Sequence, residues 1–352
     1  MKTKILFVLL VFVTGQAVLG QQTSQTGDLI QGGINDGNKL VDAYTEPLNK
    51  AVVYSLGEFN YTGFRHYGDK KFSIGFKTIF LVAPVSDRTY HINELNLQTL
   101  EAEDPHNDEA QTILGDSTSY VWIASKEKIL GQPAFKFKSP TGSGYPGFPL
   151  PYIDFNYRNG NWNFGLGIIP LVPVPTTDLN IFMLRGSVER NLLSGEKDRK
   201  TEWTIKMGFG YFHGYSLLNV KPGKVVINGS YNSQQSGDYD NQKLLIDYAS
   251  FSFASHYAYY LSKHWRVYGG AGLVLGGSSI RMVGTYPVYE SDPMGIVSVV
   301  ATDVEDPLNI QKPYVTVFGE AGLRADWNRW YLQFQTHLSF YMGGSLAFGY
   351  KF

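Results

Sequence analysis

Charged and imidazole side chains recur at alternate positions in two segments near the end of the chain. In VTVFGEAGLRADW, Glu320 and Arg324 share one face. In WYLQFQTHLSF, one face carries Gln333, Gln335 and His337. If the two segments are adjacent strands, a carboxylate, a guanidinium and an imidazole meet on one side of the sheet. Inside a barrel such a set forms either a structural ion-pair network or a ligand contact, and both interpretations stay open.

A lysine and two glycines share a similar face in EWTIKMGFGYF. Lys206, Gly208 and Gly210 alternate with apolar residues, so they point to the same side of a strand. Glycines on an inward face leave room for another element, and an N-terminal helix is one candidate to occupy it. The structural role and the ligand contact both stay open for Lys206.

Residue types used in catalysis are present, but their spacing predicts no active site. His213 and Ser216 are close in HGYS without a carboxylate placed beside them. The acidic segment EAEDPHNDEA lacks the regular spacing of metal ligands. The glycines of GGAGLVLGGSS lie in a strand pattern with no helix after it, unlike a phosphate-binding loop. We therefore predict no enzyme activity, no catalytic residues, no metal site and no cofactor.

Composition excludes several classes of protein. The 352 residues include 30 basic and 31 acidic side chains and no cysteine. Binding to nucleic acid is therefore not expected, and disulfides and lipid attachment to cysteine are excluded. Aromatic residues make up 15% of the chain, and the mean hydropathy is −0.17. Beyond the N-terminus no apolar run is long enough for a helix that crosses a membrane.

The N-terminus is typical of a secretory signal peptide. MKTKILFVLLVFVTGQAVLG has two lysines, an apolar stretch from Ile5 to Val13, and small residues at its end. We predict that residues 1–20 are removed before Gln21, which takes the net charge from −1 to −3 because two lysines are lost. The mature protein is therefore expected outside the cytoplasm.

Alternation of apolar and polar residues predicts long strands with one wholly apolar face. In YIDFNYRNGNWNFGLG, a loop of Asn159 and Gly160 would pair Tyr157 with Trp162. In the hairpin near the end of the chain, a turn at Trp327-Asn328 would pair Ala325 with Trp330. Both hairpins place polar or charged residues on the opposite face. In a membrane barrel the apolar face meets lipid and the polar face lines the lumen.

The last strand favours the membrane barrel over a soluble sandwich. The chain ends in SLAFGYKF, whose alternate apolar residues are the signal that barrel-insertion machinery reads. These residues are Leu346, Phe348, Tyr350 and Phe352. We predict a transmembrane antiparallel β-barrel in the outer membrane of a Gram-negative bacterium, in contact with outer-membrane lipid and lipopolysaccharide. The residues predicted to line its lumen are Asp154, Asn156, Arg158, Lys206, Glu320, Arg324, Gln333, Gln335 and His337.

The predicted barrel covers residues 51–352 and has 14 strands, with 12 as the alternative. Nine strands follow residue 150, and the earlier candidates are 52–62, 71–83, 88–97, 118–125 and 133–139. Short turns are expected in the periplasm and long loops outside the cell. This rule places VPVPTT, residues 214–243 and residues 282–312 outside.

Residues 21–50 have helical rather than alternating spacing of apolar side chains. Asp36 or Asn38 could cap this helix, and Pro47 is expected to interrupt it. With Tyr44 and Leu48, Pro47 defines the predicted plug segment. The helix could enter the lumen as a plug or lie at the periplasmic rim, and the sequence leaves both open.

Several segments occur in the same order as in a known group of proteins. They are DGNKLVDAYTEPLNKA, FPLPYIDFNY, VYGGAGLVLGGSS, VGTYPV, EDPLNI and AGLRADWNRWYLQFQTHLSFYMGGSLAFGYKF. Together they resemble an uncharacterised family of Bacteroidota-type outer-membrane β-barrels, which is distantly similar to the long-chain fatty-acid transporter superfamily of 14-stranded, plugged barrels. The resemblance implies a plug and the uptake of a small hydrophobic ligand. The Asn-Pro-Ala plug motif of those transporters is not found, which puts lateral release of the ligand in doubt.

Two functions are compatible with these features. The first is a barrel that binds or passes a small hydrophobic molecule. The alternative is a non-catalytic structural or accessory subunit of a larger outer-membrane protein complex, with the long loops as the contact surface.

Overall fold

The computed structural model describes residues 33–58, 61–64, 71–174, 178–193, 200–219, 225–227, 230–232, 239–291 and 298–352. Within these residues one α-helix, α1 (Ile34–Gly57), precedes the strands. The strands are β1 (Phe72–Val82), β2 (Thr89–His91), β3 (Leu100–Ala102), β4 (Glu109–Gln111), β5 (Trp122–Ser125), β6 (Lys128–Ile129), β7 (Gln132–Pro133), β8 (Lys136–Lys138), β9 (Gly147–Asn159), β10 (Trp162–Pro173), β11 (Leu179–Asn191), β12 (Thr201–Leu217), β13 (Val225–Ile227), β14 (Ser230–Asn232), β15 (Lys243–Tyr260), β16 (Trp265–Val283), β17 (Thr285–Ser291), β18 (Ser298–Glu305), β19 (Leu308–Trp327), β20 (Trp330–Leu338) and β21 (Met342–Lys351).

Ten of these strands close into an antiparallel barrel, in the order β1-β21-β20-β19-β16-β15-β12-β11-β10-β9. The barrel closes because β1 pairs with β21 on one side and with β9 on the other. The predicted antiparallel barrel with an N-terminal helix is confirmed. The predicted count of 14 strands, and the alternative of 12, are wrong.

The error in the count lies entirely before residue 147, because nine barrel strands follow it as expected. Candidate strand 71–83 is β1, whereas 52–62 contains the end of α1. Candidates 88–97, 118–125 and 133–139 belong to a small module over one end of the barrel, the cap (residues 83–146). The short strands of the cap pair among themselves in sheets β2-β4, β3-β5-β8 and β6-β7. An alternating pattern identifies a strand but not the sheet it joins.

The two ends of the barrel differ in the length of their connections. At one end, the short-turn end, tight turns join β9 to β10, β15 to β16 and β19 to β20. At the other, the long-loop end, lie the cap and the hairpins β13-β14 and β17-β18. The predicted segregation of short and long connections is therefore confirmed for the described parts of these loops.

Both predicted hairpins pair two residues out of the expected register. Tyr157 pairs with Phe164 rather than Trp162, and Ala325 pairs with Leu332 rather than Trp330. Each two-residue loop starts one position later than expected, with Gly160 (φ 57°) or Asn328 (φ 26°) as its first residue. Glycine and asparagine tolerate a positive φ, which a tight hairpin loop needs there. A shift of two residues keeps every side chain on its expected face.

Helix α1 runs along the lumen from the cap towards the short-turn end, so it is a plug and not a rim element. It continues through Pro47 to Gly57, against the expectation that Pro47 interrupts it. It begins after Gly33 without a side-chain cap, so neither Asp36 nor Asn38 is its N-cap. No helix in the described part of the chain is both long and apolar enough to span a membrane.

The cap half of the lumen is a hydrophobic core built around α1. The helix contributes Tyr44, Ala51, Val52, Val53, Tyr54 and Leu56. They pack against wall residues that include Ile79, Leu150, Met183, Phe212, Val274 and Phe318. Leu40 extends the helix into a second core inside the cap.

Inward glycines bring the wall close to the helix, as the sequence suggested for Gly210. A Cβ atom on Gly210 would lie 2.9 Å from the Cβ of Leu56, and one on Gly276 would lie 2.6 Å from the Cγ1 of Val53. These distances are too short for real side chains, so helix and wall fit only because both positions are glycine.

We predict that Gly210→Val lowers the stability of the barrel by about 1–3 kcal/mol, because the new side chain collides with Leu56. The urea midpoint of the heat-modifiable band on gels measures this change. The control is Gly319→Val, since a Cβ at Gly319 meets no atom within 4 Å. Equal midpoints for the two variants would contradict the tight fit.

The first turn of α1 is attached to the cap through Asp36, which is buried. Its carboxylate accepts hydrogen bonds from the backbone N–H groups of Gln98 (2.8 Å), Thr99 (2.7 Å) and Leu100 (3.1 Å). Burial alone would raise the pKa of Asp36. The hydrogen bonds outweigh burial and hold its pKa below the ordinary 3.8.

This attachment should weaken only in acid. A lowered folded-state pKa gives stability that is present above pH 3.8 and lost as the pH falls through the lower folded value. The protection factor of the Thr99 amide, which is the ratio of its unprotected to its observed exchange rate at the same pH, should therefore fall below pH 3.8 in the wild type. In Asp36→Asn it should already be low at pH 7. Asp104→Asn, in the same module, serves as control. Wild-type protection that is unchanged down to pH 1 would contradict the assignment.

Candidate functional site at the charged end of the lumen

Beyond the end of α1 the lumen changes from apolar to charged. Its buried side chains include six cationic and five anionic residues. They are Lys77, Arg185, Lys206, Arg266, Arg324 and Lys351, with Glu58, Glu189, Glu202, Glu320 and Asp326. Charges taken out of water are tolerated only when partners surround them. The near balance of the two signs meets that requirement.

Glu58 follows the last residue of α1 and connects the plug to the wall. Its carboxylate lies 3.4 Å from Lys77 Nζ and 2.5 Å from His337 Nε2. Its backbone carbonyl accepts a hydrogen bond from Arg185. The C-terminal end of the helix is therefore held by three barrel strands, β1, β11 and β20.

A second acidic residue, Glu320, continues the chain of contacts across the wall. His337 Nδ1 lies 3.8 Å from its carboxylate, and His256 contacts the same group. Gln335 donates a hydrogen bond to Glu320 over 2.6 Å. Carboxylates and imidazoles thus alternate from Glu58 through His337 and Glu320 to His256.

Asp326 contacts three cationic side chains near the short-turn end. Arg266 and Lys351 approach its carboxylate at 2.5 and 2.8 Å, and Arg324 donates to it over 3.2 Å. Because Lys351 belongs to β21 and Arg266 to β16, this one carboxylate joins strands on both sides of β19 and β20.

Glu202 and Glu189 complete the network on the opposite wall. Glu202 accepts hydrogen bonds from the hydroxyls of Tyr61 and Tyr260. Glu189 lies 3.8 Å from Lys206 Nζ. The segment after the helix is therefore also tied to the wall, through Tyr61.

A polar cavity of about 30 Å³ remains between the end of the plug and the wall. It is lined by, among others, Glu58, Lys77, Asp154, Arg185, Lys206 and Arg324. A second cavity of about 20 Å³ also touches Glu58. Such volumes hold a water molecule or two and are far below those of drug-sized ligand sites.

The structure brings together most of the residues expected to line the lumen. Asn156, Lys206, Glu320, Arg324, Gln333, Gln335 and His337 are buried on the inner face, and Asp154 lines the cavity. Arg158 lies instead at the short-turn end. There its side chain donates a hydrogen bond to the carbonyl of Gly160 and lies over the ring of Phe64.

The remaining expected residues lie at separate places. Tyr44 and Pro47 are buried in α1, and Leu48 packs against the lumen core. Leu346, Phe348, Tyr350 and Phe352 share the outer face of β21 and its end.

His213 and Ser216 fall on opposite faces of β12. EAEDPHNDEA lies in the cap, and no group of three or more potential metal ligands occurs in the described residues. The signal peptide lies outside the described residues.

Sequence reasoning missed several members of the network, above all Glu58, Lys77 and His256. The alternation of FSIGFKTIFLV places Lys77 on the polar face, so the same rule could have found it. Glu58 had no such signal, because it follows a helix in a segment expected to be a strand.

We predict that Glu58→Gln destabilises the barrel by about 3–5 kcal/mol, because the change leaves Lys77 buried without its carboxylate. The urea midpoint measures this loss, with the exposed cap variant Glu101→Gln as control. Glu58→Gln/Lys77→Met should recover part of the loss, since it removes the unpaired cation. A double variant no more stable than the single one would contradict the pairing.

Comparison with known proteins gives a family but no curated relative. Among solved structures, similarity is found to Ail, the attachment invasion locus protein of Yersinia pestis, at 7% identity over 80% of this chain and 99% of that one, with a TM-score of 0.23. The Pseudomonas putida toluene transporter TodX is 8% identical over 88% of this chain and 75% of that one, with a TM-score of 0.25. The outer membrane protease OmpT from Escherichia coli is 8% identical over 83% of this chain and 96% of that one, with a TM-score of 0.28. Scores this low carry no argument.

No curated protein matches the sequence. The model of one protein family matches residues 1–157 and 201–352, which is most of the chain. Its description is "Family of unknown function (DUF6588)". The chain belongs to this family.

Proposed function

We propose that the protein is an outer-membrane β-barrel that stays closed and acts as a non-catalytic structural or accessory subunit of an outer-membrane protein complex. The observation that carries this proposal is the position of α1, which fills the lumen from the cap to Glu58. The barrel would then serve as a rigid membrane anchor that presents the cap and the long loops to a partner.

The outer surface of the barrel supports the membrane location. Most of its outward positions between the two ends are apolar, as in the series Ile205, Met207 and Phe209 on β12. Exposed tryptophans form a girdle near the short-turn end: Trp162, Trp203, Trp265, Trp327 and Trp330. Aromatic girdles of this kind mark the interfaces of outer-membrane barrels, and insertion machinery and lipopolysaccharide are the partners this location implies.

The packing of the plug argues against a standing pore. Full burial of an aliphatic side chain contributes about 1.5–3 kcal/mol, so Val52, Val53 and Leu56 together contribute on the order of 5–9 kcal/mol. That alone disfavours the open state by a factor on the order of 10³ to 10⁶. The ion pairs of Glu58 add to this barrier.

A second function, triggered binding or passage of a small molecule, is favoured by the charged cavity at the end of the plug. A ligand that binds the open form could supply the energy of opening. The charged lining suits a polar solute better than a hydrophobic one. The hydrophobic ligand implied by the family resemblance stays a prediction.

We expect the wild-type protein to show no unitary conductance in a planar lipid bilayer. A variant lacking residues 34–58 should conduct if it forms a heat-modifiable barrel, because its lumen is then open. Stable channels in the wild type would overturn the closed barrel. Gly210→Val should lie between these two cases. Its displaced helix should give brief channel openings.

The accessory role is tested by a native pull-down of the tagged protein in mild detergent. Recovery of a stoichiometric protein partner supports it. Recovery as a lone monomer with a co-purifying polar compound would favour triggered passage instead.

A further inference from the structure

A cluster of polar side chains lies on the outer wall of the barrel, outside the lumen. This outer-wall cluster consists of Tyr211 and His213 on β12, Asp247 on β15 and Arg281 on β16. Asp247 accepts a hydrogen bond from the Tyr211 hydroxyl (2.8 Å), lies 2.8 Å from His213 Nδ1 and accepts a hydrogen bond from Arg281 (3.1 Å). All four positions alternate with inward residues, so they belong to the lipid-facing side.

The cluster interrupts the apolar outer face near the long-loop end of the barrel. His213 pairs laterally with Asp247, and Asp247 pairs with Ser279, so polar residues cross three adjacent strands at one level. Below that level the paired outward positions are apolar, with Phe209 opposite Phe251. Ten residues separate Trp203 from His213. At about 3.3 Å per residue and a tilt of about 40°, this is a height of about 25 Å, the usual height of the band.

Asp247 is less exposed than the two basic side chains that contact it. The side chain of Asp247 is 20% exposed, whereas those of His213 and Arg281 are 32% and 43% exposed. Lys243, also exposed, lies four residues before Asp247 on β15 and two residues before Leu245, which pairs with Arg281. Asp247 therefore holds the Tyr211 hydroxyl, the His213 ring and the Arg281 guanidinium together, and the guanidinium is the most exposed of the charged groups.

We propose that the outer-wall cluster binds the phosphate group of an anionic lipid of the outer leaflet, whose acyl chains lie along the apolar band. This inference rests on the membrane location in the proposed function. Arginine suits phosphate because its planar fork of donors matches two phosphate oxygens. Lys243 adds positive charge at the headgroup level, and Phe209 and Phe251 supply the surface for the chains.

The test uses the full-length protein in detergent micelles, with phosphorylated lipid A as the probe and its dephosphorylated form for comparison. Native mass spectrometry measures the fraction of protein that retains the lipid. The variant Arg281→Gln should bind the phosphorylated form about tenfold more weakly. Arg281→Lys should restore part of the binding, because it keeps the charge without the fork.

Arg190→Gln is the matched control. Arg190 is also exposed on the outer wall, but it lies at the short-turn end beside the ring of Trp162. Its loss should leave lipid binding unchanged. Equal binding by Arg281→Gln and the wild type, equal losses in the two glutamine variants, or equal binding of the two lipids would overturn the proposal. So would full competition by inorganic phosphate, because the acyl chains would then contribute nothing.

Insertion into vesicles tests the membrane location separately from the lipid site. A protein that inserts but shows no preference for the phosphorylated lipid refutes the lipid site alone. A protein that fails to insert refutes the membrane location and the lipid site together.

Discussion

The structure depends on one constraint: a closed barrel of ten strands must have its interior filled. In the cap half of this barrel the interior is filled by α1, which packs against the wall side chains. Close approach needs small residues on the wall, which Gly210 and Gly276 provide. The cap, the plug and the charged network all follow from how that helix is held.

The two halves of the lumen hold the helix by different interactions. In the cap half, contact between apolar surfaces fixes α1 much as in the core of a soluble protein. At the short-turn end, directional pairs from Glu58 to Lys77 and His337 fix its end. Apolar packing supplies most of the energy. Buried ion pairs add little net stability but strongly disfavour any displacement that would separate them.

Much of the fold was readable from period-two alternation. The pattern identified the nine strands after residue 147 and separated Glu320, Gln333 and His337 from the outward apolar residues. It also suggested that glycine near Lys206 makes room for the helix. The pattern failed where strands were short, because the cap strands alternate like barrel strands but pair only with each other. The alternation therefore identified the members of the site that lie on long strands, such as Glu320 and His337. It did not identify Glu58, which follows the helix.

The sequence by itself determined which side of each long strand is apolar, because successive side chains point in opposite directions whatever the strand pairs with. It also determined, to within one residue, where the two predicted hairpins turn. Only the tertiary structure decided the number of strands, the register of the hairpins and the continuation of α1 past Pro47. Those features depend on contacts between residues far apart in the chain. The pairing of β1 with β9 and β21, and of Glu58 with His337, exists only once the barrel has closed around the helix.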